Sequence, residues 1–185
     1  GLRGDGTWNG PPFPARWPVA GLKSLWRKPI GGGYSGLIAA NGRVYSLEKP
    51  KQPADTEQVV CFDAASGERL WSHRYQAAYT GVSYPNGPRT TPTLVGNRLY
   101  TLGAVGHLFC FDAISGQVVW SHNLVEQFGS KTPLWGFSAS PVAVDDLLIV
   151  HAGGTPEACF VGLDRHTGQT RWHSLSDPLG YATPL

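Results

Sequence analysis

The chain has 185 residues, the size of one ordinary domain or slightly more. Its 24 glycines and 15 prolines, against only 15% charged residues, exclude a coiled coil or helix bundle, whose faces are charged and glycine-poor. Hydrophobic residues at 41% supply a core and argue against disorder, while a net charge of +2 with scattered Arg and Lys lacks the footprint of a nucleic-acid binder.

No basic and then apolar leader opens the chain, and no apolar run is long enough to span a bilayer. With Gly1 first and no Met, the sequence reads as a processed product or a piece of a larger protein. Residues 1–23 read as a Gly/Pro-rich, loop-like arm or linker that contains Trp8 and Trp17. Three cysteines cannot all pair, and none forms a C-x-x-C.

From residue 24 onward the chain repeats. Short β-rich runs are predicted at 37–40, 43–48, 58–62 and 69–73, then at 92–95, 98–102, 107–111 and 117–121. One helical turn is predicted at 124–128, followed by strands at 141–144, 147–151, 159–163 and 170–173. Each unit carries the same eleven residues between its third and fourth strands. Cys61-Phe-Asp-Ala-Ala-Ser-Gly-Glu-Arg-Leu-Trp71 recurs as Cys110-Phe-Asp-Ala-Ile-Ser-Gly-Gln-Val-Val-Trp120 and as Gly162-Leu-Asp-Arg-His-Thr-Gly-Gln-Thr-Arg-Trp172. Trp-to-Trp spacings are 49 and 52, and Trp26, 45 before Trp71, is an earlier echo.

The motif reads as mechanics. Asp63, Asp112 and Asp164 accept bonds from backbone N–H groups and the Ser/Thr hydroxyl of a tight turn. The turn closes on Gly67, Gly116 and Gly168 because its last position needs φ > 0. The Trp is expected to meet the small first motif residue (Cys61, Cys110 or Gly162) of a neighbouring unit, with Cys acting as a small buried hydrophobe. His73, His122 and His173, just after each motif Trp, read as side chains at the repeat edge.

This pattern, small-x-Asp-x-x-Ser/Thr-Gly-x-x-x-Trp, resembles the tryptophan-docking motif of the quinoprotein, or PQQ-like repeat, β-propellers. That superfamily includes pyrroloquinoline quinone-dependent alcohol dehydrogenases and non-enzymatic BamB-like outer-membrane assembly lipoproteins. The resemblance implies an all-β propeller of four-stranded antiparallel blades over residues 24–185, with blades near 36–74, 90–122 and 139–174. Residues 181–185 would begin a further blade. Three blades cannot close a ring, so the remaining blades of a longer chain, or another copy, are expected to complete it.

In such enzymes the cofactor is held by segments leading into the innermost strands. The corresponding candidates here are Tyr34, Ser35, Arg89, Thr90, Trp135, Ser138 and Tyr181. Arg89 could clamp a carboxylate bidentately while a ring stacks on a planar ligand. Equally, the hydroxyls could satisfy backbone at a crowded hub that Trp135 plugs. The dehydrogenases also need a calcium held by Glu, Asn and Asp, an Asp base and often an adjacent Cys–Cys pair. This chain has no Cys–Cys; Glu48, Glu57, Glu126 and Glu157 are assigned to outer strands or loops, and Asp145-Asp146 to a hairpin turn. No catalytic or metal-binding residue is assigned, and no cofactor is expected.

The expected role is therefore non-catalytic: a periplasmic or cell-envelope module binding a protein or peptide partner, with neither nucleic acid nor a transmembrane segment involved. The alternative is a fragment of a PQQ- and calcium-dependent alcohol dehydrogenase. A third reading is a carbohydrate-binding surface.

Overall fold

The structure, a computed structural model, describes Arg16, Val19 and residues 21–184. Trp8 and Trp17 lie outside the described residues. The strands are β1 (Ile38–Ala40), β2 (Arg43–Glu48), β3 (Thr56–Asp63) and β4 (Arg69–Gln76), then β5 (Thr93–Val95), β6 (Arg98–Leu102), β7 (His107–Asp112) and β8 (Val118–Asn123). The helix α1 (Leu124–Phe128) follows, then β9 (Val142–Val144), β10 (Leu147–Gly154), β11 (Ala158–Asp164) and β12 (Thr170–Ser174). Each set of four consecutive strands pairs antiparallel in chain order, giving three blades. The helix is the single turn expected: Asn123 Oδ1 caps the Val125 N–H at 3.1 Å and Gly129, at φ 63°, ends it.

The three blades share one register. Across each sheet run the rows Ile38–Tyr45–Cys61–Trp71, Thr93–Tyr100–Cys110–Trp120 and Val142–Ile149–Gly162–Trp172. A bulge follows the small residue of every row, between Cys61 and Phe62, Cys110 and Phe111, and Gly162 and Leu163. The extra residue sharpens the twist of the outer strand.

The motif turns form as the sequence predicts. Asp112 Oδ1 accepts the Ile114 and Ser115 N–H groups at 3.1 and 2.9 Å and the Ser115 hydroxyl at 2.9 Å. Asp63 and Asp164 repeat this arrangement with Ser66 and Thr167. Gly67, Gly116 and Gly168 close the turns at φ 70°, 74° and 76°, where only glycine avoids a steric penalty. Backbone N–H donors hold the Asp63 and Asp112 carboxyls below their ordinary pKa, and the Arg171 guanidinium does so for Asp164.

The structure corrects the expected partner of each indole. Cys61, Cys110 and Gly162 are the cross-strand neighbours of the Trp in their own sheet, and a Cβ on Gly162 would run into the Trp172 ring. The next blade contributes instead its turn glycine and a carbonyl. Trp71 Nε1 donates to Ala113 O at 3.1 Å, and a Cβ on Gly116 would lie 2.5 Å from its ring. Trp120 does the same at Arg165 O (3.1 Å) and Gly168 (2.8 Å). Trp26 does it at Ala64 O (2.9 Å) and Gly67 (2.6 Å), although residues 21–31 belong to no strand. Small side chains under the indole and none above it let the blades close on a flat ring.

The core therefore lies in the seams. Tyr45, Leu47, Val59 and Cys61 pack against Leu99, Phe109 and Phe111 of the second blade. Tyr100, Leu102, Leu108 and Cys110 pack against Leu148, Val150, Val161 and Leu163 of the third. Each such aliphatic side chain contributes about 1.5–3 kcal/mol on burial. All three cysteines are buried and free; burial pushes the Cys110 thiol up to about 11 and raises those of Cys61 and Cys159. His73, on the edge strand β4, faces the next blade in the first seam, 5.2 and 5.1 Å from the Phe109 and Phe111 rings, and burial lowers its pKa.

Two further expectations change. Glu48 and Glu57 are not on outer strands or loops; both are buried, in β2 and β3. No strand runs through 181–184: these residues match 34–37, 89–92 and 138–141, which lead into the innermost strands of the three blades and are not strand there either. No helix among the described residues is long and apolar enough to cross a membrane.

Candidate functional site: the mouth of the blade arc

The segments leading into the innermost strands meet at one end of the three blades. They are tied side to side by hydroxyls at one repeat position: the Thr91 N–H donates to Ser140 Oγ, and the Ser140 N–H to Thr183 Oγ1, each at 2.9 Å. Gly36 holds the matching place in the first blade, close against the Thr91 side chain. Two residues before each of these stand Tyr34, Arg89, Ser138 and Tyr181. With Tyr84 and Trp135 they line one open cavity of about 370 Å³. Thus five sequence candidates, Tyr34, Arg89, Trp135, Ser138 and Tyr181, come together. The other two do not: Ser35 and Thr90 fall one residue out of phase, and in extended chain that turns a side chain to the opposite face. Thr90 is buried, donating to Leu102 O at 2.5 Å, and Ser35 Oγ is a buried hydroxyl without a partner among the described residues.

Arg89 is engaged by carbonyls of its own chain. Its Nη1 donates to Gly87 O (2.7 Å), and its Nη2 to Ser83 O (3.0 Å) and Tyr84 O (2.7 Å). Lys49 Nζ adds a bond to Pro85 O at 3.0 Å. Two cations therefore gather the carbonyls of residues 83–87 and hold that loop in shape. Tyr84 sits in it at φ 54°, a left-handed conformation that costs a bulky side chain about 1–3 kcal/mol, with its ring 68% exposed. The guanidinium carbon also lies 5.5 Å from the Tyr34 ring centroid.

Opposite stand Trp135 and Tyr181, half-exposed, with ring centroids 5.0 Å apart and planes at 38°. The Ser83 N–H binds Leu134 O at 2.7 Å, tying the two walls together. Asn86 Nδ2 donates to the Tyr34 hydroxyl at 2.8 Å, and Ser138 Oγ to Tyr181 O at 3.1 Å.

Sequence reasoning missed the support behind this wall. The Glu57 carboxylate, fully buried, accepts from the Tyr75 hydroxyl at 2.6 Å, the Tyr79 hydroxyl, and the Ala104 N–H of the next blade at 3.1 Å. Burial, reinforced by this carboxylate, raises the pKa of both phenols. Ala104 O in turn accepts the Phe137 N–H at 2.8 Å, two residues from Trp135. The signal was available: the position four before the motif's first residue is Glu57 in the first unit but Gly106 and Ala158 in the others.

Chemically the cavity offers flat rings, a cation and hydrogen-bond donors. Ser138 has no base beside it among the lining residues, so no nucleophile is activated there. A planar quinone would find rings to stack on. A calcium ion, which takes oxygen ligands including carboxylates, would find only hydroxyls and phenols, so the lining does not fit it. Among the described residues no group of three His, Cys, Asp or Glu could hold a metal.

No curated protein matches the sequence. Among solved structures, BamB from Moraxella catarrhalis is similar over 86% of this chain and 41% of its own, with TM-score 0.58 and 18% identity. Quinohemoprotein alcohol dehydrogenase from Comamonas testosteroni is similar over 77% and 21%, with TM-score 0.55 and 21% identity. The computationally designed Ika4 protein is similar over 86% and 82%, with TM-score 0.55 and 15% identity. The chain thus spans less than half the length of the two natural structures. At these identities the likeness is one of fold. A family model described as outer membrane protein assembly factor BamB matches residues 55–185, most of the chain. By that match, and by three blades docked through a shared turn and indole, the chain belongs to the BamB-type PQQ-like repeat β-propeller family.

Proposed function

We propose that the chain is a non-catalytic binding module of the bacterial cell envelope, presenting its mouth to a protein or peptide partner. The observation that carries this reading is the exposed ring cluster of Tyr34, Tyr84, Trp135 and Tyr181 on a scaffold that fixes each segment beneath it. Exposed aromatic side chains grouped on rigid backbone are the usual anchors of recognition surfaces. The envelope location and the protein partner come from the family, whose description is an outer-membrane assembly factor. Trp172 at the far face is left 37% exposed, against 9% for Trp120, which supports further blades completing the ring there.

The test is a photo-crosslinking amino acid in place of Trp135 in the full protein within living cells. A specific protein adduct is expected, absent when the substitution is moved to the far rim at Leu70. The competing reading is a fragment of a PQQ- and calcium-dependent alcohol dehydrogenase, favoured by the fold shared with such enzymes. Dye-linked alcohol oxidation after adding PQQ and calcium to the full protein would establish that reading and overturn ours.

A further inference from the structure

We infer that His151 is an acid-released latch on the mouth: its neutral imidazole holds the segment that carries Tyr181, and a proton on the ring lets that segment go. That a partner feels the release rests on the binding-module reading; the latch itself does not.

The position is a break in the repeat. Leu47, Leu102 and His151 each stand two residues after the second-strand member of the shared row, paired across to Val59, Leu108 and Phe160. The residues just before Arg89, Ser138 and Tyr181 are likewise equivalent: Pro88, Phe137 and Gly180. In the second seam this combination is apolar, with Leu102 and Phe137 in one core. In the third blade the same two places hold His151 and Gly180, and a hydrogen bond joins them: the Gly180 N–H donates to His151 Nε2 at 3.3 Å. The ring is 9% exposed and lies flat on Phe160, with centroids 4.5 Å apart and planes at 16°. A Cβ at residue 180 would stand 3.3 Å from His151 Cε1, so the backbone runs close over the imidazole.

An imidazole that accepts at Nε2 carries its one hydrogen on Nδ1. The second proton must enter at Nε2, donor against the Gly180 donor, and it leaves a charge in a site closed to water. Burial lowers the pKa of the ring, and the Ala182 backbone opposes this only in part. The charged and titratable groups on the surrounding elements are engaged elsewhere. On the covering segment Asp177 bears on Cys159 of β11, and Tyr181 turns to Trp135. On β12, Arg171 pairs with Asp164, and His173 meets the carbonyl of Glu157. Glu126 of α1 bears on His107.

Either the ring or its cover must move to admit water. The ring belongs to the paired ladder of β10 and β11, and the face of Phe160 favours a cation. The cover, residues 175–184, belongs to no strand. Beyond Leu179, which packs on the second-seam core, its ties to the mouth are Ser138 Oγ to Tyr181 O and the Ser140 N–H to Thr183 Oγ1, both between exposed groups. The cover therefore yields, and Tyr181 leaves its place 5.0 Å from the Trp135 ring.

The experiment is residue-resolved hydrogen exchange of the full protein from about pH 7.5 to about pH 5, corrected for the intrinsic rate. Protection of the Gly180 N–H is expected to fall by up to about tenfold per pH unit below about 6.5, the ordinary imidazole value. Amides of β10 should keep theirs. His151→Gln, which leaves a neutral acceptor, should abolish the dependence; His151→Leu, the residue of the other blades, should leave Gly180 poorly protected at every pH. Protection independent of pH in the native protein, or a dependence that survives both substitutions, overturns the inference. Crosslinking at residue 135, repeated at the two ends of this range, should weaken in acid for the native protein and not for His151→Gln. An adduct equally strong at both overturns the latch's hold on the mouth. No adduct at either removes the binding-module reading instead, and the exchange result still decides the latch.

Discussion

At the rim of the blades the same few atoms meet in every seam, whereas at the mouth one repeat position holds Tyr34, Arg89, Ser138 and Tyr181 in turn. The rim repeats because each seam has the same problem to solve: an indole must be covered and its N–H satisfied. The mouth has no such common task, so its side chains are free to differ. In a repeat protein, positions that recur carry the fold, and positions that break the repeat are where a binding site can be built.

Removing a seam indole should have the largest effect. Trp120→Ala deletes a ring enclosed by Gly168 and its own sheet and leaves Arg165 O with only the Tyr100 hydroxyl, at 3.0 Å. We expect a loss of about 3–5 kcal/mol in urea unfolding. A loss below about 1 kcal/mol would mean that the seams are held by their aliphatic cores alone.

Next comes the buried carboxylate behind the mouth. Glu57→Ala strands two phenol hydroxyls and the Ala104 N–H in a dry interior. The expected cost is about 3 kcal/mol, read by denaturant unfolding, together with a changed Trp135 fluorescence maximum through Ala104 and Phe137. Glu57→Gln keeps the acceptor and should recover part of the loss. If Glu57→Ala leaves the Trp135 emission unmoved, the rim and the mouth are not coupled through this group.

Gly116→Ala tests the turn with a smaller change. It forces alanine to φ 74° and pushes a methyl toward the Trp71 ring, for an expected cost of about 2 kcal/mol. Gly96→Ala, at φ 56° but with open space around it, isolates the conformational part, and the difference between the two melting points measures the indole contact.

How much of this was legible follows from how local each interaction is. The Asp-x-x-Ser/Thr-Gly turns were readable because donors, acceptor and glycine lie within five residues of one another. The indole was readable as a docking group, but its partner was not: Trp71 to Gly116 is a contact between different blades, and the sequence shows only that both residues recur. The phase of the mouth segments escaped for the same reason. Ser35 and Thr90 sit next to lining residues in sequence, and only the backbone direction turns them inward. Glu57 was visible as a break in the repeat, yet its three donors come from Tyr75, Tyr79 and Ala104, spread over two blades.

Acid should act on the turns last. Burial lowers the pKa of His73, His107 and His151, and protonating them costs stability at milder pH. The carboxyls of Asp63, Asp112 and Asp164 are all held below their ordinary pKa in the folded chain. A lowered folded pKa means that the stabilisation is complete above the unfolded value of about 3.9 and is lost as pH falls through the folded values. The melting temperature is therefore expected to decline on acidification below about pH 4, and Asp112→Asn should flatten part of that decline. A stability curve insensitive to pH in this window would show that the turn carboxylates contribute nothing net.

In the 185-residue chain the smallest effect is expected at Trp172, which meets no turn among the described residues; a further blade docked on it would raise the cost toward that of Trp120. Trp172 shares its own-sheet contact with the other motif tryptophans, since Gly162 lies beneath it, yet it is 37% exposed where Trp120 is 9% exposed. If the neighbour's glycine and carbonyl supply most of an indole's worth, Trp172→Ala should cost less than about 1 kcal/mol in the same urea experiment that Trp120→Ala fails by several. A cost equal to that of Trp120→Ala would locate the stabilisation within each sheet. The repeated turn would then serve to space the blades rather than to bind them.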